Sequence, residues 1–222
     1  MAPRFETGSI ALPLPALPDD LLTRPDAARF DPRLAFPRPD LPLEIEVGPG
    51  KGSFLLDAAR HQPDTNFLAI EKAGEFWAYA CDRLRRAGLA NVRLIHADAV
   101  NTIRWRFPSA VARVIHLYYS DPWPKARHHK NRVVRDEFLA QAWRVLLPGG
   151  ELRIVTDHDD YWTWIRDHAD RWTAPAHTPR FQARSFVPPP WAPLGSHVST
   201  NYERKMTSPE QPPHAMVLAK EG

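Results

Sequence analysis

Leu43-Glu44-Ile45-Glu46-Val47-Gly48-Pro49-Gly50-Lys51-Gly52 is a short apolar strand pattern that runs straight into three glycines. Behind it, Leu55, Ala58 and Ala59 share one face of a helix. A glycine turn between a strand and a helix lets the backbone approach a ligand closely, and the helix N-terminus adds free amides. Several nucleotide-binding patterns share this outline. A Walker A loop requires Gly-Lys-Ser/Thr in that order, whereas here Lys51 precedes Gly52, so it is rejected. The dinucleotide fingerprint wants its third glycine where Ser53 stands, which counts against a nicotinamide cofactor. What remains is a Gly-x-Gly-x-Gly turn after an acid-bearing strand, or a tight turn with no ligand.

The chain downstream repeats the strand–helix alternation of an α/β sheet. Residues 67–70 read as a strand ending in Glu71, about 20 residues beyond the glycine turn, where an acid can accept both ribose hydroxyls of a nucleoside; a helix cap is the plainer role. From Ala73 a helix carries Phe76, Trp77, Ala80, Cys81, Leu84 and Ala87 inward and stops at Gly88. Residues 91–96 form a third strand, followed by Asp98, which suits the exocyclic amine of an adenine and can equally cap the helix bearing Ile103 and Trp105. Glu46, Glu71 and Asp98 at three consecutive strand ends, beside Gly48, Gly50 and Gly52, describe a pocket for a cationic adenosyl compound.

A fourth strand, Val114-Ile115-His116-Leu117-Tyr118-Tyr119, leads into Ser120-Asp121-Pro122-Trp123-Pro124-Lys125-Ala126-Arg127-His128-His129-Lys130-Asn131-Arg132. This loop joins one carboxylate, a rigid Pro-Trp-Pro turn and many cations, a composition suited to a nucleobase with its phosphates; capping by Asp121 in a merely basic loop is the alternative. A helix with Val134, Phe138, Ala142, Val145 and Leu146 inward then runs to Pro148-Gly149-Gly150. Residues 151–156 are the fifth strand, closed by Asp157, and Tyr161, Ile165, His168, Ala169 and Trp172 mark the core face of the next helix. Asp157-His158-Asp159-Asp160 has no matching acid or histidine cluster, so a cap or substrate contact is preferred and no metal is expected.

Composition bounds these readings. A chain of 222 residues, 43% hydrophobic, can bury one good core. Its net charge of +3 is modest, but Lys125, Arg127, Lys130, Arg132 and Arg135 fall in one stretch. Of 24 prolines, nine lie in residues 1–42 and nine in residues 173–222, so the folded engine lies between them. We therefore expect a proline-rich arm (1–42) and a catalytic domain (43–222) containing a proline-rich, substrate-facing segment (173–213). The arm's Phe5, Ile10, Leu12, Leu14, Leu17 and Phe30 are too apolar for a disordered tail, so it drapes over the core or a partner. One cysteine, Cys81, excludes a disulfide framework and fits a reducing compartment. No apolar run approaches the roughly 18 residues of a membrane span, and a cytoplasmic protein with no membrane or obligatory protein partner is expected, monomer or homodimer.

The order Ile45-Glu46-Val47-Gly48-Pro49-Gly50-Lys51-Gly52, Ile70-Glu71, Asp98-Ala99, Asp121-Pro122-Trp123-Pro124-Lys125 and Val155-Thr156-Asp157 resembles the bacterial-type tRNA (guanine-N7-)-methyltransferases over roughly residues 43–172. A last echo stands at Thr200-Asn201-Tyr202-Glu203. The resemblance implies a class I, Rossmann-like methyltransferase fold: a mostly parallel seven-stranded sheet, helices on both faces and a C-terminal antiparallel hairpin. It implies S-adenosyl-L-methionine as cofactor, held by Glu46, Gly48, Gly50, Gly52, Glu71 and Asp98 with Asp121 nearby. Asp121 matches the family's proposed catalytic residue, and Lys125, Asp157, Thr200, Asn201, Tyr202 and Glu203 match its substrate-binding positions. The implied partner is tRNA, methylated at guanine 46 of the variable loop. The chain departs from the family pattern at Ser120, at His158 and in the proline-rich residues 186–195.

The chemistry fits this inventory. Guanine N7 is a lone-pair nucleophile with no proton to lose, so orientation and electrostatics carry the catalysis. Asp121 is expected to accept from the guanine Watson–Crick edge, while Lys125, Arg127, Lys130 and Arg132 hold phosphates. A methyltransferase for a non-tRNA acceptor would have little use for those cations. A non-catalytic tRNA-binding relative would have no need of the three pocket acids.

Overall fold

The structure is a computed structural model in which residues 5–200, 202–203 and 212–221 are described. Its core is one seven-stranded sheet in the order β3-β2-β1-β4-β5-β7-β6. Strands β1 (Leu43–Val47), β2 (Asn66–Glu71), β3 (Val92–His96), β4 (Ala112–Tyr118) and β5 (Leu146–Thr156) are parallel. β6 (Phe181–Arg184) and β7 (His214–Lys220) supply the antiparallel end expected from the family resemblance, β7 lying between β5 and β6. Helices α1 (Ser53–His61) and α2 (Gly74–Arg86) cover one face, and α3 (Ala99–Arg106), α4 (Asp136–Val145) and α5 (Asp159–Thr173) the other. Among the described residues no helix is long and apolar enough to cross a membrane.

Alternation along β1 sorts the two layers. Leu43, Ile45 and Val47 join Leu68, Ile115 and Leu152 under α3–α5, while Glu44 and Glu46 point to the α1 side. An acid inside a doubly covered strand has no reading in the sequence alone. Here Arg113 donates to Glu44 at 2.6 Å and the ring of His116 at 2.8 Å, so the buried carboxylate is paired on the neighbouring strand. Chain order reverses between β1 and β4, and their diverging C-terminal ends open a crevice, the position at which doubly wound sheets bind ligands.

Two expectations are corrected by packing. The fifth strand begins at Leu146, absorbing Pro148-Gly149-Gly150, with a register shift opposite Ala112 and Val114 that accommodates the inserted turn. Phe76, expected inward, is 44% exposed because it sits in the first turn of α2, above the sheet rather than over it. Cys81 is a core residue, its thiol pushed up to about 12 by burial.

The arm lies on the core. Leu12 N donates to Leu94 O at 2.8 Å, extending the sheet past β3, and Ile10 is buried among Leu84, Val92 and Leu94. Further along, Phe30 and Phe36 pack on the α3 side, and Arg106 and Arg93 donate to Pro15 O and Ala35 O. At the other end of the sheet, Phe186 and Trp191 join Phe54 of α1 over the β1–β4–β5 face, leaving a cavity of about 480 Å³ above Glu44 and His116.

Candidate active site

A cleft of about 770 Å³ opens at the C-terminal ends of β1, β2 and β4. Its floor is the glycine turn. Gly50 takes φ +54°, and a side chain there would project into open space, so the turn is built for a close visitor rather than for packing. Gly48 lines the same cleft. Gly52 does not: it caps α1 with φ +67°, and a Cβ on it would stand 3.2 Å from the Cβ of Ala80. Its contribution is close packing of α1 on α2, in place of the ligand contact expected from sequence.

Three acids line the cleft together. Glu46 is 3% exposed, and its Oε2 finds no partner among the described residues. Burial, seconded by the nearby Glu71 charge, pushes its carboxyl up to about 8. A buried carboxylate without a counter-ion is costly, and a cation entering the cleft would supply one. Glu71 accepts from Gly50 N at 3.0 Å and Ala73 N at 2.8 Å, which fixes its orientation while each oxygen keeps a lone pair for a further donor. Asp98 caps α3 by accepting from Asn101 N at 3.0 Å, the plainer of the two roles read from the sequence, and is met by Lys72 Nζ at 3.2 Å. An unpaired buried acid, an open glycine turn and two oriented carboxylates at the depth of a nucleoside together fit an adenosyl sulfonium.

The loop after β4 forms the opposite wall. Tyr119 and Trp123 both hold left-handed backbone, φ +51° and +44°, and between them Asp121 stands exposed at the cleft. Arg132 fixes the far end of this loop. Its side chain is 1% exposed, pairs with Asp160, donates to Pro122 O at 2.8 Å and lies against the rings of Tyr161 and Trp164. Arg132 therefore departs from its expected phosphate contact: a side chain committed to four partners inside the fold organises the loop instead. Lys125, Arg127 and Lys130 are exposed on or beside the short helical turn Ala126–Asn131, and no carboxylate among the described residues pairs with them. Of these cations, Lys130 reaches the cleft.

The third wall comes from far along the chain. Thr200 and Tyr202 line the cleft; Asn201 lies outside the described residues. Glu203 faces away and closes the turn, accepting from Ser196 Oγ at 2.6 Å, from Val198 N at 3.0 Å and from His197 N. Asp157 accepts from the Tyr202 hydroxyl at 3.1 Å, just outside the cleft wall. The Asp157–Asp160 run is spoken for: His158 caps α5, Asp159 pairs with His214 and Asp160 with Arg132. Among the described residues no three His, Cys, Asp or Glu side chains converge as for a metal. The cleft also gains Trp123 of the Pro-Trp-Pro turn, and with it Phe76 and Tyr119, which the sequence placed on a helix's core face and in a buried strand.

The family model described as a putative methyltransferase matches residues 40–216. A tRNA (guanine-N(7)-)-methyltransferase of Geobacillus kaustophilus is 37% identical over 149 residues, 67% of this chain and 68% of that protein. One from Lactobacillus delbrueckii subsp. bulgaricus is 33% identical over 91% of this chain and 93% of its own. Among solved structures, an S-adenosylmethionine-dependent O-methyltransferase from Thermotoga maritima aligns with a TM-score of 0.52 at 16% identity, covering 95% of this chain and 68% of its own, a likeness of fold alone.

Proposed function

Because the chain belongs to the tRNA (guanine-N7-)-methyltransferase family, we propose that the cleft at the ends of β1, β2 and β4 is where it carries out that reaction. The protein transfers a methyl group from S-adenosylmethionine to N7 of guanine in tRNA, and we place the acceptor in the variable loop, at position 46. The cytoplasm, where tRNA is matured, is the compartment this activity requires. When bound, the cofactor supplies an electrophilic methyl on a cationic sulfur. The observation that carries the assignment of the site is the meeting of Glu46, Glu71, Asp98 and Asp121 in one cleft.

Each residue's task follows from its surroundings. Glu46 is the counter-charge for the cofactor's cationic end, because no other group among the described residues meets its free oxygen. Glu71 holds the ribose and Asp98 the adenine amine, through the acceptor capacity left after their backbone bonds. Asp121, exposed on the facing loop, accepts from the guanine N1–H and N2–H edge and favours the positive charge that moves onto the base as N7 is alkylated. No proton leaves N7, so no general base is needed; adenine presents the wrong donors to this carboxylate. Lys125, Arg127 and Lys130 meet backbone phosphates around the target. The base is stacked in folded tRNA and has to leave the stack to reach so recessed a cleft.

The test is transfer of labelled methyl to unmodified tRNA transcripts, followed by mapping of the product nucleotide. We expect 7-methylguanosine in the variable loop, and Asp121→Asn to lower kcat by about 100-fold or more while cofactor affinity stays within about threefold. Modification at another nucleotide would refute the position, and an undiminished rate in the variant would remove Asp121 from catalysis.

A further inference from the structure

β4 ends in two consecutive tyrosines that part company. Tyr118 stays in the pleat, buried, with its hydroxyl 2.7 Å from His116 Nδ1. Tyr119 is the point at which the chain leaves the sheet: its N–H donates to Val155 O at 2.8 Å and its backbone takes φ +51°. A bulky residue in the left-handed region is strained, and such strain persists where surrounding structure enforces it, commonly at a site. The consequence is visible in where the ring goes. Instead of continuing the alternation of the strand, it enters the cleft and meets Tyr202, ring centroids 5.2 Å apart and planes 35° from parallel.

Tyr202 is anchored from both ends. Its hydroxyl donates to Asp157, its ring rests on Tyr119, and Glu203 next to it ties down the turn that carries it. Even so it remains 53% exposed and lines the cleft. An exposed flat ring that rests on a second ring and shares a cleft with a carboxylate suited to a base edge is the arrangement that captures a purine by stacking.

We propose, building on the reading of the cleft as a guanine-N7 methyltransferase site, that Tyr119 is a positioning residue for the acceptor base. Its ring backs that of Tyr202 to form the stacking wall on which the guanine lies while Asp121 meets its edge. The alternative is that the two rings only pack the loop onto the turn. That role would appear in thermal stability and would not discriminate between the two substrates.

The experiment is steady-state kinetics with tRNA and S-adenosylmethionine varied separately, beside calorimetric cofactor binding, for Tyr119→Phe, Tyr119→Gly and Tyr202→Ala. Glycine suits the left-handed backbone and removes the ring, and Tyr202 is exposed, so both variants keep the fold. We expect Tyr119→Gly and Tyr202→Ala to lose roughly tenfold or more in kcat/KM for tRNA, with the cofactor Kd within about twofold, and Tyr119→Phe to stay near wild type. Unchanged kcat/KM for tRNA in both ring-removing variants overturns the proposal, as does an equal loss of cofactor affinity. Wild-type protein assayed alongside separates the two readings: an inactive wild type overturns the functional reading and the stacking wall with it, whereas an active wild type with unaffected variants overturns the stacking wall alone.

Discussion

Glu44 and Glu46 stand two places apart on one face of β1, are equally buried, and are held in opposite states. Burial alone would raise both. For Glu44 that effect is outweighed by the hydrogen bond and charge of His116 and by Arg113, which together bring it down to about 2. Glu46 has no such partner among the described residues, and burial followed by the Glu71 charge takes it up to about 8. The sign of the linkage is then fixed. A carboxyl raised from its ordinary 4.5 binds its proton more tightly folded than unfolded, so the free protein loses stability as pH rises from about 4.5 to about 8 and no further beyond. Glu46→Gln should accordingly stabilise the cofactor-free protein at pH 9, by roughly 2 kcal/mol or more, and make little difference near pH 4.5. Cofactor affinity should move the other way. In the wild type it should climb between pH 6 and 8 as Glu46 ionises for the sulfonium, and in the variant it should be weak and flat. Denaturant unfolding at the two pH values and calorimetric titration across the range measure both; a variant no more stable at pH 9 would mean that Glu46 is ionised and paired in the free protein.

At the scale of elements, the loop between β4 and α4 shows what sequence discloses and what it withholds. Its position after a parallel strand and its pairing of Asp121 with cations are legible, because both are local: one needs a run of apolar residues and the other a composition. The role of Arg132 is not legible, because it depends on Asp160, 28 residues away on α5, and on two aromatic rings of that same helix. Gly52 misleads for the same reason, since the Ala80 that excludes a side chain there belongs to another helix. Glu44 was unreadable until the register of β1 against β4 brought it beside His116 and Arg113. If Arg132 is the anchor of the loop, Arg132→Met should cost about 2 kcal/mol of stability through its lost charged hydrogen bonds. It should also lower kcat at least tenfold, since Pro122, to which it donates, follows Asp121 directly. Faster amide exchange over residues 122–132 with an unaltered cofactor Kd would bear this out, whereas a variant impaired only in tRNA affinity would return Arg132 to the phosphate contacts.

The whole molecule depends on a segment whose proline content marks it as irregular. The arm's chain is short of regular structure, yet it closes two exposed parts of the core. Ile10 fills a gap between α2 and β3, and Leu12 takes up Leu94 O on what would otherwise be an open sheet edge. That edge strand ends two residues before Asp98, which lines the cleft, and no arm residue among those described lines it, so the arm supports the cleft from behind. Burying one large aliphatic side chain contributes on the order of 1.5–3 kcal/mol, and Leu12 and Leu14 add part of that again, offset by the entropy of ordering the segment. Removing residues 1–16 should therefore cost about 2–3 kcal/mol, a fall of roughly 5–10 °C in Tm for a chain of this size. The uncovered β3 edge should also favour association, because unpaired strand groups template further pairing. Calorimetry and light scattering on the truncated protein separate the two effects. A lower Tm with increased scattering, and methyl transfer retained at low temperature, is the outcome expected of a buttress. An unchanged Tm would mean that β3 holds its place through α2 and β2 alone, and that the arm's apolar residues are kept for some surface other than the one they cover here.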